Sequence, residues 1–349
     1  MSNQLKPKIA VYGAGAMGTV LGALLTKTGA DVTLITRNQA HVDGLNGKGA
    51  KIYCTAIGTQ MAIPVSAITP AQITEKYDLI LLMTKQRENE KTAKFLLDYL
   101  TEEGVVCTTQ NGLPERVLSK VLGTERTYGA VMSWGATFVG DGAVELTSVP
   151  ASMTVEVGGY ENDNSKTQWI GDILKPIGEI IGNENFVKTT DNLAGVRWSK
   201  LALNASFSGL SAMTGLKFGE IAKRLKTRKV ALKILEETFL VANALGVKLA
   251  PMQGHDMQKL LGGKGFFNQI KGMILLPIAM KNHRELVSGM LKDIEKGRKC
   301  EIDFIDGVVS DLAKQVGVDA PCVEQVVEIV HGIENGLYEL SYDNINFFE

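Results

Sequence analysis

The chain lacks the cysteine patterns that bind metals or staple small secreted folds. Its four cysteines, Cys54, Cys107, Cys300 and Cys322, show no CxxC or CxxH spacing. That argues against a metal centre and a disulfide framework, and predicts reduced thiols. An excess of one charge is also missing. Lys plus Arg number 37 against 38 Asp plus Glu, a net charge of −1, which argues against a nucleic-acid or membrane-surface partner. Long apolar runs are absent: the run 273–280 is too short to span a bilayer and contains Pro277. The stretch 1–8 is short and polar, with no signal-peptide pattern. A soluble cytoplasmic protein is expected. The four histidines, His41, His255, His283 and His331, are scattered without ligand spacing, and none is assigned a catalytic or metal role.

The chain does have the makings of an enzyme. Hydrophobic residues at 45% and charged residues at 21% of 349 describe a folded chain too long for one ordinary core. Two domains are expected, 1–188 and 189–349. The first begins with a buried-strand pattern at 9–12, then Gly13-Ala14-Gly15-Ala16-Met17-Gly18, then a helical stretch at 19–28. Strand, GxGxxG and helix in that order are what a dinucleotide-binding turn requires. Gly13 permits the tight turn, Gly15 lets backbone approach a pyrophosphate, and Gly18 allows close helix–strand packing. The pyrophosphate then sits at the positive end of the helix.

A second strand at 31–35 ends in Thr36-Arg37-Asn38. The Asp or Glu that an NAD enzyme places here to hold the ribose 2′-hydroxyl is missing. Arg37 can pair a 2′-phosphate bidentately, so NADP is favoured over NAD. The apolar run 78–84 reads as a buried parallel strand ending at Lys85, with a helix at 88–100. The next strand, 105–110, ends at Asn111-Gly112. Ligands in open α/β sheets bind beyond the carboxyl ends of the strands, which places Lys85 and Asn111 toward cofactor or substrate. The region 144–157 alternates like an antiparallel strand closing the sheet edge, before a helix at 168–181.

Beyond 188 the βαβ rhythm stops. Helical periodicity predicts helices at 192–214, 217–246, 256–261, 283–296, 303–317 and 323–335, with Gly246 and Gly317 as stops. The fold class expected is an α/β Rossmann-type dinucleotide-binding domain followed by an all-α domain, with the active site in the cleft between them.

Lys200 and Asn204 are one helical turn apart on a largely apolar segment, and Ser208 continues the face. Hydride arriving at a carbonyl carbon builds negative charge on oxygen, which needs a proton donor or a preorganised hydrogen bond. A partly desolvated lysine has a lowered pKa and gives up its proton readily. Asn204 can orient substrate without adding charge. Taken alone, a mid-helix lysine is an ordinary solvated residue. Ser288 can bind a substrate carboxylate or simply cap a helix, and Glu301 can hold a ribose or substrate hydroxyl or sit in a solvated first turn.

Six ordered motifs carry a family resemblance: the GAGAMG turn, Thr84-Lys85, Gln110-Asn111-Gly112, Arg197-Trp198-x-Lys200-Leu201-x-x-Asn204, Ser288-x-Met290-x-x-Asp293, and Glu301-Ile302-Asp303-x-Ile305-x-Gly307. Together they resemble the ketopantoate reductases over nearly the whole chain. The resemblance implies NADPH-dependent reduction of 2-dehydropantoate to pantoate, on the route to pantothenate and coenzyme A. It implies Lys200 as general acid, Asn204 and Ser288 as substrate ligands, and Asn111, Lys85 and Glu301 at the cofactor–substrate junction. A homodimer is compatible with it.

Departures are specific. Ser208 stands where the family often has Asn, and Cys300 and Asp306 where it usually has Thr and Asn. The 253–283 stretch, with Gly262-Gly263-Lys264-Gly265 in it, looks longer than usual. The aromatic tail Tyr338, Tyr342, Phe347 and Phe348 is added, and both additions suggest a cleft wall or dimer contact. One alternative is therefore a D-2-hydroxyacid dehydrogenase of the same fold acting on another branched or aromatic 2-oxo acid. The β-hydroxyacid dehydrogenases rank lower, because 128–135 lacks their Gly-rich substrate segment. A non-catalytic NADP-sensing protein is the alternative of another class, and it would not need Lys200, Asn204, Ser288 and Glu301.

Overall fold

The computed structural model describes residues 6–252, 254–262 and 266–348. Gln253 and the 263–265 tract of the expected long stretch lie outside the described residues. The chain divides into two compact units: Met1–Gln110 with Pro114–Leu193, and Asn111–Leu113 with Ala194–Glu349.

The first unit contains strands β1 (Lys8–Tyr12), β2 (Asp31–Ile35), β3 (Ala50–Cys54), β4 (Thr59–Ile63), β5 (Ser66–Ile68), β6 (Tyr77–Leu82), β7 (Leu100–Thr108), β8 (Thr127–Met132), β9 (Ala136–Gly140), β10 (Ala143–Leu146), β11 (Val155–Gly159) and β12 (Val187–Thr189). Eight form one sheet in the order β12-β11-β8-β7-β6-β1-β2-β5. From β5 to β8 all neighbours are parallel, in the doubly wound order of a dinucleotide fold, with the order reversing between β1 and β6. The strands at its centre are near-continuously apolar because helices cover both faces.

These helices are α1 (Ala16–Lys27), α2 (Gln39–Lys48), α3 (Asn89–Leu97), α4 (Glu115–Leu122), α5 (Thr167–Leu174) and α6 (Ile177–Ile181). The single helix expected at 168–181 is interrupted after Leu174, because Pro176 has no N–H to continue the ladder.

A second sheet, β4-β3-β10-β9, was not foreseen. It explains why α1 is buried on all sides from Gly18 to Leu25. One side of α1 packs on β1 and β2, the other on the small sheet. The 144–157 region is accordingly split. Its first part, β10, joins the small sheet. β11 does run antiparallel to β8, but β12 takes the edge, parallel to β11.

The second unit contains α7 (Leu193–Asn204), α8 (Leu210–Thr214), α9 (Phe218–Lys223), α10 (Leu225–Ala244), α11 (Met257–Leu261), α12 (Phe266–Ala279), α13 (Gly289–Ile294), α14 (Val308–Val316) and α15 (Pro321–Glu334). The expected 192–214 helix is continuous, but its Ala205–Gly209 turn is π-helical. A second π turn, Asp303–Gly307, opens the expected 303–317 helix. The 217–246 helix is broken at Arg224, whose backbone is extended. Only 289–294 of the expected 283–296 helix forms, capped by Ser288.

α10 runs through the core and packs against α9, α12, α14 and α15. Its buried Glu237 accepts from the amides of Cys322 (3.1 Å) and Val323 (2.9 Å). A carboxylate thus satisfies the orphan donors at the start of α15. The aromatic tail folds back on its own core. Tyr338 packs at a tilt against Phe347 and lies against Gly332, Arg224 covers Tyr342, and Asn344 donates to the Met213 carbonyl. All four cysteines are buried thiols. Among the described residues, no helix is long and apolar enough to cross a membrane and no cluster could hold a metal.

Candidate active site

In the first unit the glycine turn sits at the end of β1, next to the point where strand order reverses. The amides of Gly13 and Ala14 both donate to the Ile35 carbonyl at 2.9 Å, tying the turn to the end of β2. Each glycine has its own physical reason. Gly13 has φ +105°, and a Cβ there would lie 2.5 Å from the Thr84 amide nitrogen; at Gly18 a Cβ would lie 2.5 Å from the Gly13 carbonyl oxygen. Gly15, the N-cap of α1, is exposed, and a Cβ there meets nothing within 4 Å. Two glycines are therefore required by the fold, and the third faces open space at a helix N-terminus. This cradle fits a pyrophosphate. Ala14 is buried, while Ala16 and Met17 are half-buried in the first turn of α1. The Thr84 hydroxyl beside Gly13 is buried without a hydrogen-bond partner among the described residues, an orphaned group at the same turn.

Lys85 is exposed and begins the 3₁₀ turn Gln86–Glu88 after β6. That turn is pinned from below. The Asn89 and Gln110 side-chain amides bond each other reciprocally (3.0 and 2.8 Å), and Gln110 also reaches the Thr84 carbonyl (2.7 Å) and accepts from Thr108 (2.9 Å). Only tertiary structure brings residues 89 and 110 together, so no local pattern marks Asn89 as the partner of Gln110. Asn111 is exposed beside Gly112, whose φ is +76°. Arg37 is exposed beyond β2, with Glu88 4.0 Å from its guanidinium.

In the second unit the burial pattern is selective. From Gly195 to Thr214 every residue is buried except Lys200, Leu203, Asn204 and Ser208. These four make one stripe along α7 and its π turn. The i→i+5 pattern of that turn widens it, so Ser208 advances less around the axis than the ~40° that four α-helical residues would give. Burial, and secondarily the Arg197 guanidinium three residues back, push the Lys200 amine down to about 7. Lys200 as a whole residue keeps some exposure, but its amine is deep enough for desolvation to be the main cause. Arg197 is itself 3% exposed, and its i−3 spacing from Lys200 is its signal in the sequence.

Ser288 is 3% exposed and its hydroxyl oxygen accepts from the Leu291 amide at 2.9 Å. The cap uses an oxygen lone pair and leaves the O–H hydrogen for another acceptor. α13, which Ser288 caps, packs on the π turn after Asn204 and on α8. Glu301 is half-buried just before the second π turn, which packs against the first. The first π turn, which follows Asn204 and carries Ser208, thus packs within one unit against both the helix that Ser288 caps and the π turn that follows Glu301. π turns recur at functional sites.

Comparison with known proteins agrees with both halves. Residues 9–159 match the family model described as Ketopantoate reductase PanE/ApbA, and residues 192–334 match its C-terminal counterpart. A 2-dehydropantoate 2-reductase from Pyrococcus horikoshii is 28% identical over 90% of this chain and 93% of its own. One from Archaeoglobus fulgidus is 24% identical over 95% and 99%. Among solved structures, the ternary complex of D-mandelate dehydrogenase with NADH and anilino(oxo)acetate superposes with a TM-score of 0.79 at 24% identity, covering 95% of this chain and 99% of that one. The 2-dehydropantoate 2-reductase from Geobacter metallireducens gives 0.76 at 27% identity, covering 93% and 99%. With both family models spanning most of its length, and a glycine turn and lysine-bearing helix in the matching halves, the chain belongs to the ketopantoate reductase family of oxidoreductases.

Proposed function

We propose that this protein reduces the C2 carbonyl of a branched 2-oxo acid, 2-dehydropantoate, to the hydroxyl of pantoate, using NADPH. The stripe of Lys200, Asn204 and Ser208, with Leu203, on a segment otherwise buried from Gly195 to Thr214 carries the reading. When bound, the reduced nicotinamide supplies the hydride. The Gly13–Gly18 turn and the N-terminus of α1 hold the pyrophosphate. Arg37 receives the 2′-phosphate, and Lys85, Asn111 and Glu301 serve the junction of cofactor and substrate.

Lys200 donates a proton to the carbonyl oxygen as negative charge develops there. An amine near 7 is close to the matched acid for a reaction at neutral pH. Asn204 and the Ser288 hydroxyl hold the substrate, and Ser208 lies where its branched end is distinguished. The first unit is then the NADP-binding domain and the second the substrate domain, in a cytoplasmic enzyme of pantothenate synthesis.

A second reading keeps the chemistry and changes the acid. Ser208 replaces the amide common in the family, and the fold is shared with a dehydrogenase of an aromatic 2-hydroxy acid. Initial rates with NADPH against 2-dehydropantoate, benzoylformate and other 2-oxo acids separate the two. For Lys200→Ala, kcat should fall at least about a hundredfold with NADPH binding retained; an unchanged kcat removes the lysine from the mechanism. Tight NADPH binding with no turnover of any acid would instead indicate a sensing protein.

A further inference from the structure

The end of β2 carries no acid, yet an acid reaches it from elsewhere. Arg37 and Glu88 belong to different loops, the first after β2 and the second after β6. These strands flank β1 on its two sides, so the pair spans the end of β1. There Tyr12, the last residue before the glycine turn, lies within the electrostatic reach of both side chains. The Arg37 Nη1 to Glu88 Oε2 distance is 4.0 Å, and both groups remain largely exposed. An exposed pair of this kind adds almost nothing to stability. Its members are nevertheless well placed: Glu88 lies between buried Gln86 and buried Asn89, the latter locked to Gln110.

In a dinucleotide fold this is where the adenine ribose is read. A carboxylate accepts from a 2′-hydroxyl and repels a 2′-phosphate, and an arginine does the converse. Here both are present.

We propose that Glu88 is a specificity-determining residue of the nucleotide site, supplying from the β6 loop the carboxylate that the end of β2 lacks, so that the site takes NADH as well as NADPH. Bound NADH lets Glu88 accept from the ribose 2′-hydroxyl while Arg37 stays paired. Bound NADPH requires Arg37 to turn from Glu88 to the phosphate and leaves the carboxylate facing a second anion. The proposal rests on the dinucleotide reading of the glycine turn.

The test is direct titration of NADPH and NADH, by nicotinamide fluorescence, into wild type, Glu88→Gln and Arg37→Ala. Wild type should bind both dinucleotides. Glu88→Gln should weaken NADH about tenfold, as expected for losing one charge-assisted hydrogen bond, and tighten NADPH severalfold. Arg37→Ala should weaken NADPH and leave NADH nearly unchanged. Equal changes for both dinucleotides in Glu88→Gln, or none, would make the residue a surface ion-pair partner only and overturn the proposal. Wild-type binding of NADPH alone would also overturn it while leaving the reductase reading intact. Binding of neither dinucleotide would remove the dinucleotide reading itself, and this inference with it.

Discussion

Gly209 and Asp306 meet where the two π turns pack together: a Cβ on Gly209 would lie 2.8 and 2.9 Å from the two Asp306 carboxyl oxygens. Asp306 is fully buried, neither oxygen has a hydrogen-bond partner among the described residues, and burial raises its pKa well above the ordinary carboxylate value. The folded state therefore holds a proton that the unfolded chain releases. Stability is full below the unfolded pKa, about 4, and declines as pH rises through the folded one. Asp306→Asn, which cannot ionise, should be about 1–3 kcal/mol more stable than wild type near pH 7, with the gap closing toward pH 4. Urea unfolding across that range measures it, and parallel profiles would mean that Asp306 does not titrate. Gly209→Ala, with its methyl against Asp306 and Val326, should cost about 1–3 kcal/mol at any pH.

Lys200 titrates in the opposite sense, because its pKa is lowered, to about 7. As an acid it must be protonated, so kcat/KM for reduction should be level below pH 7 and fall about tenfold per unit above it. A decline starting only near pH 10 would show an ordinary, solvated lysine. Its burial also carries a stability cost. Below pH 7 the folded state encloses an ammonium, and the cost is relieved between about 7 and 10.5 as the folded amine loses its proton before the unfolded one. Lys200→Met should therefore be more stable than wild type by roughly 2–5 kcal/mol at pH 6 and about equal near pH 10.5.

The glycines of the turn should separate folding from binding. Gly13→Ala places a methyl against the Thr84 backbone at positive φ and should cost about 2–4 kcal/mol. A Cβ at Gly15 meets nothing within 4 Å, and Gly15→Val should unfold within about 1 kcal/mol of wild type. It should nonetheless lose most dinucleotide affinity. A Gly15 variant that binds normally would place the pyrophosphate elsewhere.

His41 links the small sheet to the glycine turn. Its Nδ1 accepts from the Gly142 amide at 2.9 Å, so Nε2 carries the hydrogen and donates to Thr19 Oγ1 at 2.9 Å. Thr19 in turn donates to the Ala14 carbonyl at 3.4 Å. Burial lowers the His41 pKa, opposed by the Asp141 charge. The stabilisation is thus complete above the unfolded value, about 6.5, and is lost as pH falls below it. His41→Phe should cost about 2–3 kcal/mol at pH 8 and flatten the decline below pH 6.5. A variant as pH-sensitive as wild type would show that another group titrates.

The parts legible in the sequence are those written in local periodicity. The glycine turn between β1 and α1 was read correctly because its constraints are steric and fall within six residues. Helices dominate after residue 190 as their spacing foretold, and Lys200 and Asn204 share a face because an α-helix guarantees it. The small sheet was missed because β3 pairs with β10 across some ninety residues and β4 is half-exposed, with no apolar run to mark it. The π turns were missed because an i→i+5 ladder leaves no side-chain period to detect.

By itself the sequence determined the strand–glycine–helix turn, the division into an α/β and a helical unit, and the lysine–amide pair, all consequences of chain geometry over a few residues. Only the tertiary structure decided what surrounds them. It buried the helix around Lys200 until one stripe remained and its amine lost much of its basicity. It set Asp306 against Gly209 with no hydrogen-bond partner among the described residues, and brought Glu88 to an arginine some fifty residues earlier in the chain. Burial and charge proximity are properties of space rather than of order along the chain, and on them the proposed acid and the proposed nucleotide preference depend.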